Sequence, residues 1–142
     1  MIPPFDENGN LPPGIHQATW AEIVGRFGGT EHRRQLLGGL CAALDSLKTA
    51  GCKRAYIDGS LITSKDVPND FDGCWEPDGV NPQLLDPVLL EFADGRVAQK
   101  TKFLGELFIA ETRVLRIGST FLAFFQQDKE TGDPKGIIGI DL

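Results

Sequence analysis

Two carboxylates one residue apart, in Asn69-Asp70-Phe71-Asp72, follow a Gly59-Ser60 turn after nine intervening residues. On a strand, alternation puts Asp70 and Asp72 on one face, roughly 6.5–7 Å apart along the backbone. Carboxylates that close repel each other unless a cation sits between them. A hard divalent ion such as Mg²⁺, held by one or two carboxylates and completed by phosphate oxygens and water, meets that need. The turn supplies the other half. Gly59 lets the backbone approach a ligand closely, and N–H groups where the apolar strand ending at Asp58 runs into the next turn can receive a phosphate. A phosphate cradle beside a metal-binding pair implies chemistry on a nucleoside triphosphate. In a plainer reading Ser60 caps a short helix and Asp70-Phe71-Asp72-Gly73 is a solvated turn. A calcium loop fits worse, because Pro68 falls inside Asp66 to Asp72 and the alternate-ligand spacing is absent.

The elements that must position these residues alternate in type. Residues 1–18 are rich in Pro, Gly and Asn, with turn signals at Asn8-Gly9 and Pro12-Pro13-Gly14; Ile2, Phe5, Leu11 and Ile15 anchor them as an arm that wraps the domain. Thr19 and Glu22 form a capping box for a short helix bearing Trp20, Ile23 and Phe27, stopped by Gly28-Gly29. Thr30 caps a longer helix whose stripe of Leu36, Leu37, Leu40, Leu44 and Leu47 is core, with Gly51 as its stop. A strand from Arg54 to Asp58, the Gly-Ser turn and a strand around Phe71 to Trp75 follow. Asn81-Pro82 signals another helix start, which Pro87 must begin or break. A strand containing Glu106, a helix from about 119 to 128 and a strand from 136 to 142 complete a fold read as α/β (α+β), a small mixed sheet flanked by helices. No repeat or linker divides residues 1–142, which read as one domain.

Composition bounds the function. A hydrophobic fraction of 41% and a charged fraction of 24% are those of an ordinary globular protein. No segment approaches the roughly 20 apolar residues of a membrane span, and no basic region followed by an apolar core opens the chain. Cys41, Cys52 and Cys74 are odd in number and lack Cys-x-x-Cys spacing, so they read as reduced thiols of a cytoplasmic protein, with Cys41 buried on its helix. The formal net charge of −6 argues against a broad electrostatic footprint on nucleic acid, but not against a nucleotide bound through Mg²⁺ or a local basic patch at an RNA end.

Gly59-Ser60 followed by Asp70-x-Asp72 resembles the signature of minimal nucleotidyltransferases of the DNA polymerase beta superfamily. Across the wider chain, Ile2-Pro3-Pro4-Phe5, Leu11-Pro12-Pro13-Gly14-Ile15-His16, Asp58-Gly59-Ser60 and Pro134-Lys135-Gly136-Ile137 look like a small bacterial branch of it, so the likeness covers almost the whole chain. The resemblance implies two Mg²⁺ ions on Asp70, Asp72 and a third carboxylate on a later strand, with an NTP as substrate and transfer of its NMP to a protein or RNA hydroxyl. Glu106 is the best third candidate, since one carboxylate in the apolar run Gly105 to Ala110 is costly unless paired or metal-bound. Its role would be to hold the catalytic ion and activate the attacking hydroxyl. Superfamily members more often carry Asp there; Glu91, Asp94 and Glu111 compete for the role, and a strand-edge charge is the plainer alternative. Gly59, Ser60 and Lys135 would bind the triphosphate. Small stand-alone members resemble components of toxin–antitoxin or phage-defence loci, which implies a cognate protein partner.

The remaining residues carry weaker signals. Arg33 and Arg34 open the long helix against its dipole, as an anion contact or a solvated face. Lys100, Lys102, Arg113 and Arg116 flank the Glu106 strand as acceptor contacts or surface charges. His16 reads as a hydrogen-bonded structural residue, and Asp58 as fixing the Gly-Ser loop. Ser60 lacks a convincing histidine base and a nucleophile-elbow context, so a covalent serine mechanism does not fit. The alternative to an enzyme is a non-catalytic nucleotide- or protein-binding module, an antitoxin or regulatory subunit on the same fold. Because 142 residues leave little beyond a catalytic core, acceptor recognition is expected to draw on an oligomer or a second protein.

Overall fold

A computed structural model of the chain describes residues 1–92, 96–114 and 118–142. Asp94, a competitor for the third carboxylate, and Arg116 lie outside the described residues. The elements run β1 (Gly14–Gln17), α1 (Trp20–Phe27), α2 (Glu31–Thr49), β2 (Arg54–Asp58), β3 (Phe71–Trp75), α3 (Val97–Phe103), β4 (Gly105–Ile109), α4 (Phe121–Phe125) and β5 (Gly136–Asp141). The strands form one mixed sheet in the order β1-β5-β2-β3-β4. β2 is antiparallel to both β3 and β5, whereas the outer pairs β1–β5 and β3–β4 are parallel. Among the described residues no helix is long and apolar enough to cross a membrane.

Alternation along the strands divides the side chains between two faces. Ala55 and Ile57 of β2, Phe71 and Trp75 of β3, Leu107 of β4 and Ile138 and Ile140 of β5 join the main core with Ile23, Phe27, Leu36, Leu40 and Leu47 of α1 and α2. Tyr56, Cys74, Phe108 and Ile137 point the other way, into a smaller cluster with Phe121, Phe125 and Ala110. The Thr19–Glu22 capping box forms in full, and α2 ends where Gly51 adopts a φ of +99°. The helix anticipated after Asn81-Pro82 is instead two 3₁₀ turns, Pro82–Leu84 and Pro87–Leu90, because Pro87 lacks the N–H that would continue the first.

Residues 1–18 are more than a wrapping arm. Gly14–Gln17 add a parallel edge strand to β5, and His16 is held to the Pro12 carbonyl through Nε2 at 2.6 Å. Arg33 is neither an anion contact nor a solvated charge: it is buried, and its guanidinium donates to the carbonyls of Leu61, Thr63 and Lys65. It pins the stretch after the Gly-Ser turn to the start of α2. Arg34 donates to the Gly28 carbonyl at 3.1 Å. Cys41, anticipated as buried, is only half-buried on α2; Cys52 and Cys74 are buried, and burial pushes the Cys74 thiol up to about 12.

Gly39 is where α2 meets the C-terminal end of α3, and a Cβ there would sit 1.9 Å from the Phe103 carbonyl oxygen. Backbone cannot yield as a flexible side chain does, so Gly39→Ala is expected to cost about 1–3 kcal/mol of overpacking strain. Urea unfolding with the midpoint lowered and the slope unchanged would bear this out.

Candidate active site

Strand register builds the site. Asp58 pairs with Asp72 across β2–β3, and Asp72 pairs with Glu106 across β3–β4, so three acidic residues form one row across neighbouring strands. Directly opposed residues point to the same face, the one carrying Tyr56, Cys74 and Phe108. Asp70 lies two residues before Asp72 and one residue ahead of β3, so it is not on the strand as the spacing suggested, but it lines the same cleft as Asp72. Side by side in the row stand the sequence candidates Asp72 and Glu106, with Asp58 completing it. Glu91 and Glu111, the competitors within the described chain, are exposed and belong to none of the strands that carry this row.

The Gly59-Ser60 turn closes against the row. Gly59 adopts φ +91° and ψ 179°, a conformation open to glycine, and a Cβ there would meet the Asp72 amide nitrogen at 2.7 Å. Ser60 begins a 3₁₀ turn, Ser60–Ile62. Its hydroxyl accepts from the Asn69 amide at 3.0 Å and donates to the Asp70 carbonyl at 3.2 Å, tying the turn to the carboxylate segment. Gly59, Ser60, Asp70, Asp72 and Lys135 all line a polar cleft of about 660 Å³. Asn8 and Asn10 of the N-terminal arm form part of its wall, and Lys65, Lys129 and Thr131 border it.

Cations answer this row unevenly. Asp58 is buried and paired with Lys135 at 2.5 Å; burial raises its carboxyl, and Lys135 pulls the other way. Glu106 is held by Arg96 Nε at 2.5 Å, with Lys100 at 3.9 Å. Asp72 is only 7% exposed, yet no described donor hydrogen-bonds its carboxylate, and among the described residues its ion-pair partner is Lys129, at 3.9 Å. Burial, then the charge of Asp70, with Glu106 and Asp58 adding to it and Lys129 opposing, push its carboxyl up to about 7. Asp70 is raised for the same reasons, burial first and Glu106 next. Among the described residues, Lys129 is the one cation that opposes the shift at all three aspartates.

These under-paired oxygens in one cleft suit a hard divalent cation, so Asp70 and Asp72 fit Mg²⁺ on chemical grounds. Among the described residues, no three His, Cys, Asp or Glu side chains stand close enough to hold a metal ion together. Glu106 is instead paired with Arg96 and Asp58 with Lys135. Lys135, singled out in the sequence for phosphate, reaches the cleft but spends its charge on Asp58. Sequence reasoning missed Arg96, Lys129, Asn8 and Asn10. Arg96 precedes a helix with no side-chain cap, and Lys129 lies in an Asp128-centred turn, so neither carries a local signal of its neighbour.

A raised carboxyl has a definite sign for stability. From pH 4 to 7 the folded metal-free protein holds the Asp72 proton that the unfolded chain has released, so stability falls as pH rises through that window. Asp72→Asn removes this contribution. Denaturant unfolding at pH 5 and pH 7.5 in a chelator should show a smaller pH-dependent loss in the variant than in the wild type; equal losses would count against this account of Asp72.

Comparison with known proteins adds one relation. No curated protein matches the chain, and no solved structure matches it. The model of one family, described as "Family of unknown function (DUF6932)", matches residues 3–141 and so spans the arm, the carboxylate row and the last strand alike. The chain belongs to the DUF6932 family.

Proposed function

We propose that the protein is a nucleotidyltransferase that moves an NMP from an NTP to a hydroxyl acceptor and releases pyrophosphate. The observation that carries this reading is the under-paired pair Asp70 and Asp72, walled by the Gly59-Ser60 turn, with Glu106 beside Asp72 in the row. Asp70 and Asp72 would hold Mg²⁺, and Glu106 would join them once released from Arg96. Two bound ions would stabilise the attacking and the leaving oxygens of an in-line displacement. The protein's own part is positional. Gly59 brings the backbone against the phosphates, Ser60 fixes the turn to Asp70, and Lys129 and Lys65 border the cleft where the triphosphate's negative charge collects. The hydroxyl oxygen forms a bond to the α-phosphorus, the bond from that phosphorus to the bridging oxygen breaks, and the hydroxyl proton passes to the carboxylate row.

One observation favours a second reading. Arg96 and Lys100 already neutralise Glu106, and Lys135 neutralises Asp58, an arrangement that a non-catalytic nucleotide- or protein-binding module could keep without any metal. Thermal unfolding with each NTP, with and without Mg²⁺, separates the two. A ligand at 100 times its dissociation constant that binds only the folded state adds about 2.7 kcal/mol. The transfer reading expects stabilisation that needs NTP and Mg²⁺ together and disappears in the Asp70→Asn, Asp72→Asn double variant. Stabilisation by nucleotide alone, or by none, hands the site to the binding module.

A further inference from the structure

Both oxygens of Glu106 face cations that α3 presents. Arg96 Nε donates to Oε2 at 2.5 Å, and Lys100 Nζ stands 3.9 Å from Oε1. Arg96 is the residue from which α3 starts, and Lys100 follows four positions on, so the two share one side of the helix. Arg96 takes up a left-handed backbone, φ +61° and ψ 34°, unfavourable for a residue with a Cβ, and its side chain is 35% exposed. The helix has a separate attachment to the sheet. Gln99 is fully buried; its side-chain amide donates to the Leu107 carbonyl at 3.2 Å and accepts from the Leu107 N–H at 2.9 Å. Phe103, the last residue of α3, lies in the main core. Gln99 thus fixes α3 beside β4, with Arg96 and Lys100 free to serve the adjoining residue, Glu106. Along the row this supply of cations is lopsided, since among the described residues Asp72, the register partner of Glu106, has Lys129 alone at 3.9 Å. A row built for stability only would place its best cation at the middle carboxylate, where repulsion is greatest.

We infer that Arg96 is a positioning residue that withholds Glu106 from the metal, so that the site refuses a free divalent ion and fills with a metal–triphosphate complex. This rests on the metal-holding role proposed above for Asp70 and Asp72. A lone ion meets two carboxylates in the cleft and must break a charge-assisted pair to gain the third. The arrangement competent for three-carboxylate binding is therefore the minor one, and apparent affinity falls by the fraction of molecules that adopt it. A ligand shifts such an equilibrium only by its differential affinity for the two arrangements. The metal–triphosphate complex has more of that to give than a lone ion, because Gly59, Ser60, Lys65 and Lys129 border the same cleft. An order of events follows: nucleotide and metal arrive together, and Glu106 joins last.

Mn²⁺ titration of the full chain without nucleotide, read by the electron paramagnetic resonance of the free ion, tests this. With the open arrangement populated at roughly 1–10%, Arg96→Met should tighten Mn²⁺ about ten- to hundred-fold over the wild type. Glu106→Gln added to Arg96→Met should cancel that gain, which separates release of a ligand from the mere loss of a positive charge. Unliganded melting temperatures report whether each variant folds. Arg96→Lys, which keeps the charge without the Nε contact, is the second variant; a smaller gain with the same dependence on Glu106 is expected of it. Folded variants that bind Mn²⁺ no more tightly than the wild type, or a gain that survives Glu106→Gln, would overturn the role given to Arg96, as would no Mn²⁺ binding by any of them. A gain that depends on Glu106, with no stabilisation of the wild type by Mg·NTP, upholds that role and overturns the transfer reading. Mg·NTP stabilisation with Mn²⁺ affinity unchanged by Arg96→Met does the reverse.

Discussion

Like charges held in register across neighbouring strands are the constraint around which this molecule is organised. Once Asp58, Asp72 and Glu106 face the same side of a sheet whose strands lie about 4.8 Å apart, their repulsion must be met by cations or by protons. The protein meets it differently along the row. Lys135 and Arg96 take the two outer carboxylates, whereas Asp72 in the middle has Lys129 at 3.9 Å and a raised carboxyl. A buried carboxylate left this poorly served destabilises the fold that contains it. Such a cost, concentrated at one position in a cleft, marks a functional site more often than a structural one.

The rest of the fold reads as scaffolding for that register. The main core of α1 and α2 lies on one face, so the other is free to carry polar groups at one end and aromatic rings at the other. Arg33 anchors the segment after the Gly-Ser turn through three backbone carbonyls, and Ser60 fastens its two ends together. Lys135 joins the entrance of β5 to the exit of β2 through Asp58. The arm reaches the same region: Asn10 donates to Asp128 at 3.1 Å, bracing the turn that presents Lys129. Elements far apart in sequence thus converge on one end of the sheet.

What the sequence disclosed follows the range of the interaction. The capping box at Thr19, the leucine stripe of α2, and the strands at Arg54–Asp58 and Phe71–Trp75 are written in local patterns, and they formed as read. The pairing of Asp72 with Glu106 was approached from a lone acid in an apolar strand, a signal of cost rather than of partner. Nothing local announces β1, whose partner lies some 120 residues away, so Gly14–Gln17 reads as arm. The helix Val97–Phe103 starts from Arg96 at φ +61° without a side-chain cap and was equally hidden. Arg33 misled because its charge opposes the helix dipole, a local cost that three distant carbonyl contacts outweigh.

Under the proposed function Asp70, Asp72 and Glu106 would hold a metal–triphosphate complex, and the position of a bound metal decides whether they do. Crystals grown with Mn²⁺ and an α,β-methylene NTP would locate the ion by its anomalous signal. Anomalous density is expected between Asp70 and Asp72, with phosphates against Gly59 and Ser60 and Glu106 turned from Arg96 toward the ion. Triphosphate bound with the Arg96–Glu106 pair intact and no manganese on Asp70 or Asp72 would contradict it.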